Sequence, residues 1–304
     1  YRFMKKLLLF FLVLAQIALA QQVNVLSIEK IKATDTGGYF YPKISPDNQF
    51  ILMTRGNYSG LYQYSPVSKS LKTLNEDPGA GYKVQISDDG NTVLYNKTEL
   101  IRKLRHNSLI SQTISNGEKK VLVAPTREQI TGKMVNSNPV YVKNRSLVKS
   151  NSVKPTDNLY LITIENQKMV LYKNGVRAEL TPSGANASYI WPSISPDNKN
   201  IVYTVTGKGT YVCSVTGKNV TSLGKLNAPS WAGNKFVVGM DDRDDGEKLI
   251  SSSLIITSID GKLRKKLETP TGINAMYPSA SKDGSRIAFN TDRGEVYLMQ
   301  VEFK

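Results

Sequence analysis

The sequence has very few of the residues that build disulfides and metal sites. Among its 304 residues there are one cysteine, Cys213, and one histidine, His106. A disulfide within the chain and a cysteine-based zinc cluster are therefore excluded, and a metal centre held by several histidines has no ligands. Hydrophobic residues make up 40% of the chain and charged residues 21%, a composition that indicates a folded chain with a sizeable core.

Long apolar runs are also absent, apart from one near the N-terminus. Lys5 and Lys6 precede a largely apolar run of fourteen residues, 7–20, which ends in Ala18-Leu-Ala. This is the pattern of a secretory signal peptide, and the run is shorter than the roughly 20 residues of a membrane span. We therefore predict a signal peptide over residues 1–20, with Tyr1-Arg-Phe lying upstream of the start at Met4. An uncleaved anchor is the alternative, and no later segment is predicted to span a membrane.

Acidic residues are few compared with basic ones. The chain has 25 acidic and 40 basic residues and a formal net charge of +15. The excess is greatest over residues 97–154, which hold twelve basic and three acidic residues. Such a surface attracts an acidic protein, an anionic glycan or lipid head groups, or it serves solubility alone. Nucleic acid is not expected as a partner of an exported protein.

After residue 20 the sequence has almost no helical periodicity. Short stretches rich in Val, Ile, Tyr and Thr alternate with Gly, Asn, Asp and Pro, which indicates an all-β protein. Hairpin dipeptides of the Asp-Gly and Asn-Gly type occur at residues 89–90, 116–117, 174–175, 245–246, 260–261 and 283–284. One segment, residues 99–109, could instead form a short basic helix with Leu100, Ile101 and Leu104 on one side.

An internal repeat is the strongest feature of the sequence. Residues 41–54, 191–204 and 277–290 align without a gap. Each copy begins with an aromatic residue and Pro, continues with Ser-x-Asp and ends in a hydrophobic strand. Weaker copies begin at Lys83, Asn138 and Ala228. A repeat of about 40 to 50 residues indicates a β-propeller, in which each repeat is one blade.

The spacing of the repeats predicts six blades. The second position of each copy is occupied by Pro42, Val84, Pro139, Pro192, Pro229 and Pro278. Each spacing holds about four short strands, and the two ends of the chain together supply one further repeat. We therefore predict one six-bladed domain over residues 21–304. Its last blade is closed by strands from both termini, with residues 23–28 as the outer strand beside residues 277–303. Ile44, Ile194 and Trp231 would pack between blades.

The repeat resembles the WD40-like repeat of the TolB propeller family. The family pattern is aromatic-Pro-Ser-hydrophobic-Ser-Pro-Asp-Gly, a hydrophobic strand, then Ser/Thr-Asp-Arg-Gly. Residues 289–298 carry the second half, residues 53–62 carry a version of it, and residues 180–184 resemble the segment that closes a blade. The resemblance covers residues 39–304 and implies the propeller without the additional α/β domain of bacterial TolB proteins. The same repeats occur in prolyl-peptidase-like enzymes, where a separate hydrolase domain does the chemistry.

No catalytic constellation is recognisable in the sequence. A Ser-His-Asp triad would have to use His106, and no Gly-x-Ser-x-Gly turn is present. Cys213 lies in an alternating segment typical of a half-buried strand. The acidic run at residues 241–247 fails as an EF-hand, since Arg243 stands where an oxygen ligand is needed and Ser252 where a bidentate Glu is needed. It is interpreted as a hairpin turn, with a looser calcium site as the alternative. No catalytic residue, metal or cofactor is expected.

The candidate site is the face of the propeller around its central funnel. The starts of the inner strands and the loops between second and third strands meet there, and protein interfaces are enriched in aromatic residues and Arg. By the repeat register this face carries Tyr39, Tyr41, Tyr82, Tyr189, Trp191 and Tyr277, the loop residues Arg55, Tyr58, Arg243, Asp292 and Arg293, and Arg102, Lys103 and Arg105 of an insertion in blade two. Alternatively, the rings pack between blades and the arginines pair with carboxylates.

We therefore expect an exported, non-catalytic scaffold that binds a protein. The resemblance to TolB implies a partner associated with the outer membrane or peptidoglycan and a periplasmic location, with the cell surface or extracellular space as alternatives. The second hypothesis is a carbohydrate-binding propeller, or a carbohydrate-active one of the lyase or glycosidase type. Paired carboxylates about 5 to 9 Å apart in the funnel would mark the enzyme.

Overall fold

The computed structural model describes residues 22–32, 37–135, 137–149 and 159–304. These residues form 26 strands in seven antiparallel sheets, and each sheet is one blade of a β-propeller. The all-β prediction is confirmed. The predicted signal peptide, residues 1–20, lies outside the described residues. In the part of the chain that is described, no helix has the length and hydrophobicity needed to cross a bilayer.

Five of the seven blades have four strands. Blade one contains β2 (Phe40–Ile44), β3 (Ile51–Thr54), β4 (Leu61–Ser65) and β5 (Ser70–Asn75), with a short 3-10 helix (Gly56–Tyr58) after β3. Blade two contains β6 (Gln85–Ile86), β7 (Thr92–Ile101), β8 (Leu104–Thr113) and β9 (Lys119–Thr126). Blade five contains β16 (Tyr189–Ile194), β17 (Asn200–Val205), β18 (Gly209–Ser214) and β19 (Thr221–Gly224). Blade six contains β20 (Asn227–Ala232), β21 (Phe236–Asp244), β22 (Leu249–Ser258) and β23 (Arg264–Lys266). Blade seven contains β24 (Ala275–Ala280), β25 (Arg286–Thr291), β26 (Val296–Phe303) and β1 (Val23–Lys30).

The other two blades have three described strands each. Blade three contains β10 (Thr131–Val135), β11 (Asn138–Lys143) and β12 (Ser146–Lys149). Blade four contains β13 (Tyr160–Glu165), β14 (Lys168–Lys173) and β15 (Val176–Leu180). The prediction of six blades is therefore wrong, because the described residues form seven.

The missed blade, blade four, lies within the spacing from Pro139 to Pro192, one of the two widest. The weak copy at Asn138 begins β11, the second strand of blade three, whereas β10 is the inner strand. In blade four, β13 contacts β10: Thr131 Oγ1 lies 2.8 Å from Thr163 Oγ1, and Lys133 Nζ donates to the Tyr160 carbonyl at 3.0 Å. The described strands of blade four contain no aromatic-Pro start, so the repeat did not reveal this blade.

Closure of the ring by both ends of the chain is confirmed. Strand β1 pairs antiparallel with β26, from Val23 opposite Phe303 to Lys30 opposite Tyr297. Gln22 and Lys304 exchange two backbone hydrogen bonds of 2.8 Å. The N-terminal strand thus completes the blade that the C-terminal residues begin and pairs the outer edge of β26.

A repeated hydrogen-bonded turn explains the Ser-x-Asp motif. The Ser45 hydroxyl donates to Asp47 Oδ1 at 2.6 Å and accepts from the Phe50 N–H at 3.0 Å. The same donation, to the aspartate two residues on, is made by Ser87, Ser195, Ser258 and Ser281. All five serines are buried. The motif therefore satisfies backbone donors where the chain reverses between strands.

The hydrophobic core lies between neighbouring blades. Ile44 and Met53 of blade one pack against Ala288 and Leu298 of blade seven, and Trp231 of blade six joins a cluster with Val202 of blade five. Ile194 packs, partly buried, against a cluster of blades four and five. The predicted interblade positions are therefore correct.

The segment that could have formed a helix is a β-hairpin. Strands β7 and β8 pair over their whole length, with Glu99 opposite His106. Arg102 and Lys103 form the turn with φ of 50° and 64°. The helix interpretation of residues 99–109 is wrong, because the apolar residues that would share one side of a helix belong to two strands.

Candidate functional site

An irregularity at the start of the inner strands turns the leading aromatic residues out of the sheet. Pairing of β2 with β3 skips from Phe40 to Lys43, and equivalent shifts occur in β16, β20 and β24. The residue before proline takes a positive φ at each: 51° at Tyr41, 51° at Trp191 and 50° at Tyr277. Such angles are uncommon in non-glycine residues and persist only where the surroundings enforce them. The bulge aims the ring toward the funnel.

Polar side chains of the adjacent blade hold the irregular strands in place. The Tyr41 N–H donates to the buried Asn290 Oδ1 of blade seven at 3.0 Å. The Ala280 N–H donates to Ser230 Oγ of blade six at 3.2 Å. Trp231 Nε1 donates to the Ser193 carbonyl of blade five at 3.1 Å. Backbone and indole N–H groups near the bulges thus find hydrogen-bond acceptors in the neighbouring blade.

Four tyrosines from three blades form a connected cluster at the mouth of the funnel. The Tyr41 ring stacks on Tyr58 with centroids 4.1 Å apart and lies 4.6 Å from Tyr277. Tyr58 meets Tyr82 edge to face at 5.2 Å. Burial raises the pKa of Tyr41 to about 12 and also raises the pKa of Tyr58 and Tyr277. These hydroxyls stay neutral near pH 7 and act as hydrogen-bonding groups.

Two rings of the mouth are exposed to solvent. Tyr82 keeps 43% of its surface exposed and Trp191 keeps 42%. Large exposed aromatic side chains are the residues that most often dominate the binding energy of an interface. We define the mouth by Tyr41, Tyr58, Tyr82, Trp191 and Tyr277.

Below the mouth lies a cavity of about 820 Å³, which we call the funnel. Its lining includes four lysines from blades one, two, three and seven: Lys43, Lys83, Lys133 and Lys282. Among the described residues the lining contains one carboxylate, Asp88, which lies 3.4 Å from Lys282 Nζ. The lining therefore carries an excess of positive charge.

A second cavity of about 410 Å³ adjoins the mouth on the side of blades two to five. It shares Tyr82, Lys83 and Trp191 with the funnel and also reaches Arg105. Arg102 and Lys103 lie beyond it at the exposed tip of the β7–β8 hairpin. The basic insertion therefore stands beside the mouth, as the repeat register predicted.

Three of the predicted site residues are engaged inside the blades. The Arg55 guanidinium carbon lies 4.0 Å from the centroid of Tyr39, and Arg55 Nη1 donates to the Gly37 carbonyl at 2.5 Å. Tyr39 is buried. Tyr189 is also buried, and its hydroxyl donates to the Gly184 carbonyl at 3.0 Å. Tyr39 and Arg55 do not line the funnel, and Tyr189 lines only the side cavity.

The remaining predicted loop residues lie away from the funnel lining. Arg243 is exposed on β21, opposite Ser251 of β22. Arg293 is exposed in the turn between β25 and β26, beside Asp292, whose carboxylate accepts from Asn274 Nδ2 at 3.0 Å. Neither arginine is brought into contact with the tyrosine cluster.

The acidic run at residues 241–247 ends in a hairpin turn. Asp245 Oδ1 accepts from the N–H groups of Glu247 and Lys248 at 2.9 and 2.7 Å. These hydrogen bonds lower the pKa of Asp245. The turn interpretation is confirmed. Among the described residues no group of three or more His, Cys, Asp or Glu is arranged to hold a metal.

The single histidine and the single cysteine are both strand residues. His106 lies on β8, with Nδ1 2.9 Å from the Leu104 carbonyl. Cys213 is fully buried, and burial raises the pKa of its thiol to about 12. A thiol that stays protonated at neutral pH is a poor nucleophile.

The funnel lysines were missed by the sequence analysis. Lys83 occupies the aromatic position of the repeat in blade two, and Lys43 follows the aromatic-Pro pair of blade one. The repeat register could have placed both in the funnel. Lys133 lies in blade three, where the register itself was wrong.

Comparison with solved structures finds other propellers. A crystal structure of TolB from Acinetobacter baumannii matches with a TM-score of 0.54 and 16% identity, over 80% of this chain and 57% of that one. The structure of U3-55K matches with a TM-score of 0.62 and 10% identity, over 90% and 98%. The GH74 enzyme of Niastella koreensis matches with a TM-score of 0.59 and 10% identity, over 89% of this chain and 53% of that one.

At these identities the matches show the fold alone. They support the TolB-like resemblance at the level of the propeller, and this chain spans 57% of the length of the TolB chain. No protein-family model and no curated protein matches the sequence.

Proposed function

We propose that this chain is a non-catalytic binding propeller that holds a protein partner at the mouth of its funnel. The observation that carries the proposal is the connected tyrosine cluster, flanked by the exposed rings of Tyr82 and Trp191 and by the basic hairpin of blade two. Rings already ordered against each other lose little entropy on binding. They offer a rigid aromatic surface with polar hydroxyls, the kind that anchors protein interfaces.

The packing of the rings favours a protein over a sugar. A sugar stacks on an open ring face, whereas one face of Tyr41 is covered by Tyr58 and Tyr277 lies tilted beside it. Glycoside hydrolysis also uses two carboxyl groups, and Asp88 is the one carboxylate among the described residues of the funnel lining. Its partner is Lys282.

The proposed location of the partner rests on the sequence. The predicted signal peptide and the TolB-like repeat support a periplasmic protein of the bacterial envelope, with a partner associated with the outer membrane or peptidoglycan. The excess of basic residues over residues 97–154 favours a partner with an acidic surface, since charge complementarity accelerates encounter.

Affinity capture from a solubilised envelope tests this proposal. Residues 21–304 serve as bait, together with Trp191→Ala and a variant carrying Arg102→Glu, Lys103→Glu and Arg105→Glu. The control is Val67→Ala, which changes an apolar residue, 87% exposed, in the turn between β4 and β5 on the opposite side of the ring. We expect one envelope protein that is retained by the control and lost from both mouth variants. Equal retention by all baits would overturn the proposal.

A carbohydrate-binding role is the second candidate, supported by the four lysines of the funnel. These would suit an acidic glycan. It would be favoured if soluble anionic glycans raise the melting temperature, as a ligand of the folded state does, while no protein is captured.

A further inference from the structure

Two lysines of the funnel lack an acidic partner. Lys43 Nζ on β2 donates to the Val84 carbonyl at 2.6 Å, and Lys133 Nζ on β10 donates to the Tyr160 carbonyl at 3.0 Å. No carboxylate of the described residues lies within ion-pair distance of either ammonium group. Both side chains are half-buried in the funnel wall.

Such a pair of cations is unfavourable in the free protein. An ammonium group has three donors, and a hydrogen bond to one carbonyl leaves further donors of each lysine available to a ligand. Burial lowers the pKa of Lys43 to about 8 and also lowers the pKa of Lys133. A charge removed from water without a counter-ion destabilises the fold, so its presence on a cavity wall points to something that enters the cavity.

The other charged groups of the funnel do not neutralise these lysines. Lys83 and Lys282 add positive charge. Asp88 is engaged by Lys282, and its charge raises the pKa of Lys133 by less than burial lowers it. The tyrosines of the mouth add no charge near neutral pH, since burial raises the pKa of Tyr41, Tyr58 and Tyr277. An incoming group must therefore be an anion to gain from this field.

We infer that the funnel receives an acidic peptide segment of the partner, whose carboxylates accept hydrogen bonds from the Lys43 and Lys133 ammonium groups. The inference rests on the proposed function and names the chemistry that the partner inserts. The lysines lie on different blades, so a segment with more than one carboxylate engages both. The aromatic mouth above them packs on the flanking residues, which is why a peptide is favoured over a glycan.

Calorimetric titration with two synthetic peptides tests the inference. A hexaglutamate peptide flanked by Gly-Ser is compared with its hexaglutamine counterpart. We expect the glutamate peptide to bind and the glutamine peptide not to bind. Lys43→Met and Lys133→Met should each weaken binding by about tenfold or more, because each removes a partly buried ion pair. The control is Lys120→Met, an exposed lysine on β9 away from the funnel, which should leave the affinity within about twofold.

The pH dependence of binding distinguishes Lys43 from a merely structural residue. A carboxylate binds the protonated ammonium, so affinity should be constant from about pH 6, where the glutamates are ionised, to the free Lys43 pKa of about 8, and fall as the pH rises past it. Lys43→Arg keeps its charge throughout this range, so this variant should bind with a flatter profile up to about pH 9.5.

Folding of the variants is checked by melting. Lys43→Met removes an unpaired charge, so its melting temperature without peptide should equal or exceed that of the parent. Three results would overturn the inference: no binding of the glutamate peptide, equal weakening by Lys120→Met, or tighter binding of trigalacturonate with the same dependence on Lys43. Capture that depends on Trp191 would still stand in the first two cases, so failure here is distinguishable from failure of the proposed function.

Discussion

Blades one and seven differ from blades three and four in almost every feature that the site uses. Blades one and seven carry the aromatic-Pro start, the Ser-x-Asp turn and four strands, and their rings meet at Tyr41 and Tyr277. Blades three and four have three described strands and neither motif. Blade three adds Lys133 to the funnel lining, and no described residue of blade four lines it. The repeat therefore has two structural roles. It forms the turn at one end of the inner strand, and at the other end it points an aromatic ring into the funnel.

The largest contrast is expected in the cores of the two regions. Phe289 of β25 is fully buried and stacks on Tyr297 at 5.3 Å. Phe289→Ala should lower the free energy of unfolding by about 3 to 5 kcal/mol, through lost transfer energy and a cavity. Leu147→Ala on β12 removes a partly buried side chain and should cost less than about 2 kcal/mol. Urea unfolding followed by tryptophan fluorescence measures both, and equal losses would show that the two regions are packed alike.

A smaller contrast is expected at the turns. Ser281 Oγ donates to Asp283 Oδ1 at 2.6 Å and accepts from the Arg286 N–H at 3.0 Å. Ser281→Ala leaves a partly buried N–H without this acceptor and should cost about 1 to 3 kcal/mol. Ser146→Ala, on an exposed serine of blade three, should stay within about 0.5 kcal/mol. A neutral Ser281→Ala would mean that the motif does not stabilise the blade.

The smallest effect is a pH dependence of the turn in blade two. The Ser87 hydroxyl and the Asn91 N–H, both hydrogen-bonded to the Asp89 carboxylate, lower its pKa in the folded state. A lowered pKa contributes stability above the unfolded value of about 4 and loses it as the pH falls through the folded pKa. Asp89→Asn should therefore be less stable than the parent at pH 7, with a difference that shrinks on acidification. Urea midpoints across that range measure it, and a difference that grows in acid would contradict the account.

The fold could be predicted wherever the repeat is intact. Three intact copies of the repeat located blades one, five and seven and the closure by β1: residues 41–54, 191–204 and 277–290. They could be recognised because the turn and the bulge require the same residue types at the same positions in each blade. Blade four could not be found this way, since its described strands carry neither the aromatic-Pro start nor the Ser-x-Asp turn. The hairpin at Arg102 and Lys103 was also hidden, because both residues take a positive φ that the sequence signals only when Gly or Asn is present.

The sequence predicted the aromatic residues of the candidate site but not the lysines of the funnel. Tyr41, Tyr82, Trp191 and Tyr277 line the funnel or its mouth as the register implied. Tyr39 and Arg55 pack on each other within blade one instead. The sequence does not separate a lysine on a cavity wall from one on the surface, because the distinction depends on which inner strands face each other across the ring.

Site-specific photocrosslinking in the intact envelope tests the central claim that the partner binds at the mouth. A benzophenone amino acid is placed at Trp191 or at Val67, which are both exposed but lie on opposite sides of the ring. The account predicts one protein adduct from position 191 and none from position 67. Adducts of equal yield from both positions, or from position 67 alone, would contradict it.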